Sequence, residues 1–219
     1  MRRIAAAFLI FVAIVAAGFV MTRDRGEDAA YAEAEARIAQ GARERVRVLS
    51  LQGLDALEKI PPSISDLDRL AQLSLRGTRV SDLAPLAAVP SLRVLSLRDT
   101  RTGDLAPLEA LPDLEILDLA GSWVWDLGSL SRMPSLERLD LGGTMILSLE
   151  PAVQAERLKW INLHGAQARD GSGEHFMSLL TKGVALNNGR TFREDRASTW
   201  VGRQARRLGR LTARLSPSD

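Results

Sequence analysis

Asp118 and Asp140 stand 22 residues apart, each between two leucines, and Asn162 takes the same place in Ile161-Asn162-Leu163. If those triplets are neighbouring parallel strands, the two carboxylates lie ~4.8 Å apart on one face. Carboxylates that close repel each other unless a cation is shared. The pair could therefore grip a Lys or Arg of a partner, hold a metal ion, or work as acid and base. Arg98 and Arg138 offer the plainer alternative of neutralisation within a solvated face. Calcium asks for six to eight oxygens, more than this face supplies, so no metal or cofactor is expected. Ser96, Asp118 and His164 would share the face as well. Three strand spacings, roughly 14 Å, would separate Ser96 from His164, too far for a nucleophile and its base. The chain has no cysteine, which excludes disulfides, thiol catalysis and thiolate metal sites. No enzyme is expected. His164 reads as a surface contact and His175 as an ordinary residue near the C-terminal end.

A repeat would place these residues so. Leu73, Leu95, Leu117, Leu139 and Ile161 recur every 22 residues, and two positions on come Leu75, Leu97, Leu119, Leu141 and Leu163. Thr78, Thr100, Ser122 and Thr144, then Ala166, hold a third phase; Leu83, Leu105, Leu127 and Leu149 hold a fourth. A fixed period in this range with this leucine spacing marks a stacked solenoid, which presents a surface. Leu49-Ser50-Leu51 precedes Leu73-Ser74-Leu75 by 24, so the first coil carries two extra residues, assigned to a convex-side turn at Pro61 and Pro62. About six coils are expected, the last strand ending at Leu163.

In such strands the leucines point inward and the residues between them face solvent. The first outward column reads Gln72, Val94, Ile116, Arg138 and Trp160. The second reads Ser74, Ser96, Asp118, Asp140 and Asn162, and the third Arg76, Arg98, Ala120, Gly142 and His164. Just past the strands, Arg79, Arg101, Trp123 and Met145 form an exposed column, with Ser81, Gly103, Trp125 and Leu147 beside it. Trp123, Trp125, Met145 and Leu147 would make one apolar patch across two coils. Either it meets a partner, as Trp and Met do at interfaces, or its rings fold onto the turn or under the C-terminal segment.

The segment from Leu70 to Val80, Leu-Ala-Gln-Leu-Ser-Leu-Arg-Gly-Thr-Arg-Val, resembles the LxxLxLxxNxL core of leucine-rich repeats, with Thr in place of Asn. The continuation from Ser81 to Leu92 is similar to the 22-residue, internalin-like bacterial variant. The resemblance covers roughly residues 46–168. It implies an α/β solenoid with a concave parallel sheet, short 3₁₀ turns on the convex side, and a usual role in binding other proteins. Where the family's Asn bonds turn backbone, Thr78, Thr100, Ser122 and Thr144 must do so with one hydroxyl each. Ala166 has none, and the proline pattern lapses at Glu156, so the stack is expected to end there.

The flanks carry different chemistry. Arg2 and Arg3 precede an unbroken apolar run, Ile4 to Met21. Its 18 residues span roughly 27 Å as a helix, close to the ~30 Å core of a bilayer. Residues 1–21 therefore read as a membrane anchor that leaves the domain on the periplasmic side, or as a cleaved signal peptide that leaves it periplasmic or secreted. Residues 22–45, rich in Ala, Glu and Arg, read as a helical stalk whose last turn caps the first coil. The repeat domain spans 46–168, and 169–219 form an α-helical C-terminal cap. Within that cap, a helix from Ser172 to Thr181 presents Phe176, Leu179 and Leu180 on one side, with Gly183 as its stop. A hairpin follows around Asn188-Gly189. Residues 190–215 hold eight Arg against Glu194 and Asp195, although the whole chain carries only +2. Over 198–215, Val201, Ala205, Leu208, Leu211 and Leu215 fall opposite Arg203, Arg206, Arg207, Arg210 and Arg214. That helix either closes the stack or lies on anionic lipid. Nucleic acid is not an expected partner, because the basic stretch lacks interleaved aromatics. The reading is an exported module that binds another protein, the alternative a self-associating or lipid-contacting envelope component.

Overall fold

The 22-residue period closes into coils that each contribute one three-residue strand to a parallel sheet. The structure is a computed structural model that describes residues 26–170 and 173–187. The strands are β1 (Val48–Ser50), β2 (Gln72–Ser74), β3 (Val94–Ser96), β4 (Ile116–Asp118) and β5 (Arg138–Asp140). Later ones are β6 (Met145–Ile146), β7 (Trp160–Asn162), β8 (Gln167–Ala168) and β9 (Ala185–Asn187). The main sheet runs β1-β2-β3-β4-β5-β7-β9, and β6 pairs with β8 in a second, two-stranded sheet. Register keeps the phase of the sequence: Leu49, Leu73, Leu95, Leu117, Leu139 and Ile161 face one another in turn. Each is buried, and the aliphatic stack they begin fills the interior.

Beyond each strand the backbone goes on tying coil to coil. The N–H groups of Leu75, Leu97, Leu119 and Leu141 donate to the carbonyls of Ser96, Asp118, Asp140 and Asn162 at 2.8–2.9 Å. Those of Gly77, Asp99, Gly121 and Gly143 do the same to Arg98, Ala120, Gly142 and His164. The hydroxyl column then works within its own coil: Thr78, Thr100 and Thr144 donate at 2.7 Å to the carbonyl three residues earlier. Ser122 departs from this expectation. Its side chain is buried and its hydroxyl has no partner among the described residues.

The convex side is built of 3₁₀ turns at Pro62–Asp66, Ala84–Ala88, Ala106–Ala110 and Gly128–Arg132. Asp82, Asp104 and Asp126 accept the N–H groups of Ala84, Ala106 and Gly128 at 2.8 Å, starting three of them. A short helix, Glu150–Gln154, replaces the fifth turn, its Glu150 N–H taken by Ser148. Ile64 and Leu86, 22 residues apart, are the buried centres of the first two turns. The two extra residues of the first coil are therefore absorbed between Leu51 and Ile64, ahead of the turn itself. Glu109 staples the third turn to the fourth, accepting from Arg132 Nε at 2.6 Å and Ser129 Oγ at 2.7 Å. Arg132 first and Ser129 second pull its pKa down from 4.5 to about 2.

Both ends differ from their expected form. Residues 26–44 are helical, and Ala30, Ala34, Ile38 and Gly41 form a buried stripe over three turns, not one. Small residues allow the close approach. A Cβ on Gly41 would sit 2.9 Å from Val46 Cγ2. Arg37 covers the open edge of β1, donating to the carbonyls of Ser50 and Gln52 at 3.3 and 3.4 Å. At the other end, Gly173–Thr181 is helical with Phe176 and Leu179 buried, whereas Leu180 is exposed. Gly183 turns the chain at φ +79°.

Of the expected hairpin, only the first arm, β9, lies among the described residues. That arm pairs parallel with β7, Trp160 facing Ala185 and Ile161 facing Leu186. The Gly173–Thr181 helix stands in for a convex turn and returns the chain to the sheet, so the stack continues one strand past Ala166. Asn188-Gly189, the apolar run 4–21 and the basic stretch 198–215 lie outside the described residues. Among the described residues, no helix is long and apolar enough to cross a membrane.

Leu117→Ala is expected to cost about 2–5 kcal/mol in denaturant unfolding, because a fully buried side chain leaves a cavity between coils. Thr100→Ala should cost about 1 kcal/mol for its lost hydrogen bond, whereas Ser122→Ala should be neutral or stabilising because it removes a buried, unpaired hydroxyl.

Candidate interaction surfaces

On the concave face, β4 and β5 bring Asp118 and Asp140 opposite each other, and β7 adds Asn162 beside them. Most of their bonding capacity is already used. Asp118 Oδ2 accepts from Arg98 Nε and Ser96 Oγ, both at 3.1 Å, and Oδ1 accepts the Ala120 N–H at 3.1 Å. Asp140 Oδ2 accepts from Arg98 Nη2 at 3.0 Å, and Oδ1 takes both the Gly142 N–H and Asn162 Nδ2 at 2.8 Å. Asn162 Oδ1 in turn accepts the His164 N–H at 3.1 Å. Burial disfavours the charge on Arg98, but Asp118 and then Asp140 outweigh it and hold the guanidinium pKa above its usual value. Arg138, expected to share this task, forms no ion pair with either carboxylate among the described residues.

These side chains finish the strands. Each accepts a backbone N–H two residues on, the local bond Asp and Asn make when they end regular structure. The Asp-Leu-Ala and Asp-Leu-Gly spacing was the available signal, and it is easily mistaken for a binding pair. Among the described residues, no group of three or more His, Cys, Asp or Glu could hold a metal ion. Val94, Ile116 and Trp160 lie half-buried on the same sheet, while His164 is exposed just past β7.

The edge beyond the strands is different. Six large apolar residues are exposed among those described, and four of them cluster here: Trp123 at 65%, Trp125 at 55%, Met145 at 70% and Leu147 at 39%. Alternation explains their direction, since Val124 and Ile146 between them are buried. The Leu147 N–H donates to the Trp125 carbonyl at 2.7 Å, locking the two coils side by side. Such exposure rules out rings folded into the turn; cover by the C-terminal segment falls outside the described residues. Arg101 stands 5.6 Å from the Trp123 ring centroid, a cation–π contact on one flank. Asp104 and Asp126 stand exposed at the same position of adjacent coils, each already accepting the N–H that starts its 3₁₀ turn, and Ser148 takes that position in the next coil.

Arg98→Gln is expected to leave two facing carboxylates without their shared cation. The loss in unfolding free energy should be larger at low than at high ionic strength, and adding Asp140→Asn should recover part of it.

No protein-family model and no curated protein matches the chain. Among solved structures, internalin C2 of Listeria monocytogenes is 26% identical over 54% of this chain and 56% of its own, with a TM-score of 0.46. An internalin (inlF) of the same organism is 19% identical over 69% of this chain and 54% of its own, with a TM-score of 0.48. The chain thus spans just over half the length of each. The in-phase leucines, the parallel sheet they build and its 3₁₀ convex turns identify the fold itself as a leucine-rich repeat solenoid on the 22-residue, internalin-like unit.

Proposed function

We propose that this chain is an exported, membrane-anchored repeat module that binds another protein through the edge formed by Trp123, Trp125, Met145 and Leu147. The carrying observation is the contrast between the two surfaces. The concave carboxylates are satisfied internally, while the edge leaves two tryptophans more than half exposed. A contiguous apolar patch rimmed by polar groups is the usual mark of an interaction site, and Trp is enriched among residues that dominate binding energy. A hydrogen-bonded solenoid also holds the patch rigid, which lowers the entropic cost of association. Concave residues Val94, Ile116, Asp118, Asp140, Trp160, Asn162 and His164 serve as secondary contacts in this reading.

Export rests on Arg2, Arg3 and the apolar run 4–21, retained as an anchor or removed as a signal peptide. No catalytic role is assigned, since Ser96, Asp118 and His164 sit on three different coils. The same exposed edge supports one competing reading, self-association as an envelope component.

Capture from envelope extract with the full chain tests both readings. Trp123→Ala/Trp125→Ala, which leaves the core untouched, should weaken binding by at least about 2 kcal/mol, some 30-fold. Asp118→Asn/Asp140→Asn should retain it. Loss only in the second variant would move the site to the concave face. A mass that rises with concentration in the absence of any partner would favour self-association.

A further inference from the structure

The apolar edge matches itself turned end for end. We infer that the protein it fits is a second copy of this chain, docked antiparallel about a two-fold axis between the coils of Trp123 and Met145. This rests on the reading of the edge as a protein-binding surface and names its occupant.

Register defines the match. Two outward columns cross the patch, Arg101-Trp123-Met145-Gln167 and Gly103-Trp125-Leu147-Arg169, each residue one coil beyond the last. In a two-fold contact residue i meets j and j meets i. Turned about an axis between the second and third of these coils, Trp123 faces Met145 of the copy, and Trp125 faces its Leu147. The same operation sets Arg101 opposite Gln167 and Gly103 opposite Arg169.

Shape selects this arrangement over the parallel one. The exposed rings stand on one coil, and the smaller Met145 and Leu147 stand on the next. Reversal therefore sets tall against short in both columns, the complementarity that a close-packed interface needs. Parallel docking would press all the rings together on one coil and leave a gap at the next. At each end the long Arg169 side chain meets the space above Gly103. A Cβ added there would find only the Trp123 carbonyl within 4 Å among the described residues, at 3.7 Å.

Charge points the same way. Arg169 is exposed and makes no ion pair or side-chain hydrogen bond among the described residues. Asp104, next to Gly103, is exposed as well. One of its oxygens accepts the Ala106 N–H at 2.8 Å, and the other is unbonded among the described residues. Within one chain, three strand spacings, roughly 14 Å, hold Asp104 and Arg169 apart. The two-fold brings them side by side, once at each end of the patch. Asp170, which arrives near Asp104 with Arg169, lies 3.4 Å from its own His175. Arginines at the two ends and aspartates along one side disfavour a partner of a single sign; they suit a surface that carries the same set reversed. Two coils make a contact at the low end of specific interfaces, below about 1,200 Å² in total, so the dimer is weak.

The absence of cysteine makes a clean test possible in the full chain. With a short bismaleimide, Arg101→Cys/Gln167→Cys should give a covalent dimer at least about tenfold faster than either single variant, because docking raises effective concentration. Like positions of the two copies stay roughly 14 Å apart in the antiparallel dimer, so single variants lack that advantage. Neither position is buried, so neither substitution opens the core. Adding Trp123→Ala/Trp125→Ala should bring the rate down to that of the single variants. Single variants that react as fast as the pair would overturn the antiparallel dimer. So would a full chain that sediments in nonionic detergent as a monomer at every concentration. If that monomer captures an envelope protein and the tryptophan variant does not, the dimer falls and the binding edge stands. Fast crosslinking that depends on the tryptophans, in a chain that captures nothing else, would uphold the dimer and remove the reading of a different partner.

Discussion

Everything in this molecule depends on each coil returning to the same point on its neighbour. A parallel ladder between coils forms only if backbone donors and acceptors arrive in phase, and a leucine stack fills only if the same positions turn inward every time. The two requirements reinforce each other. The inward leucines fix which residues face the core, and the ladder then runs past the three-residue strands, through the N–H groups of Leu97, Asp99, Leu119 and Gly121, into the turns. Because the register is 22 residues, a surface property of one coil lies beside the same position of the next.

That constraint decides what the polar residues do. On the concave face it puts two aspartates side by side, and the cost is offset locally: Arg98 reaches both, while each carboxylate also ends its own strand. On the convex side it aligns Glu109 with Arg132 and Ser129 one coil on, and the same spacing pairs Arg93 with Glu115 and Lys159 with Glu137. These side chains stitch coils together and leave little for a ligand. On the outer edge the register does the opposite, aligning Trp123 with Met145 and Trp125 with Leu147 where no described residue covers them.

The two ends are closed by different means. At the first coil, alanines and Gly41 let a helix lie close, and Arg37 satisfies carbonyls of the exposed strand edge. At the far end, the helix Gly173–Thr181 takes the place of a convex turn, so the seventh strand joins the sheet although its sequence has left the repeat. A coil can thus be completed by any segment that buries its apolar side and returns the backbone at the right height.

The sequence by itself determined the solenoid, its period and the inward and outward sides of each strand, because a strict repeat encodes register directly. It likewise aligned Trp123 with Met145 and Trp125 with Leu147 on one edge, while the exposure of those side chains, with Val124 and Ile146 turned in between them, was decided by the structure. Tertiary structure alone decided how the polar groups are spent. Whether Asp118 and Asp140 await a ligand or finish their strands depends on bonds to Arg98, Ala120 and Gly142 whose geometry no pattern of residue types reveals. It also decided that Ser122 breaks the hydroxyl column, and that Ala185–Asn187 extends the parallel ladder beside β7. The free edge of β7 and the apolar surface beneath it take up that strand although its sequence has left the 22-residue period.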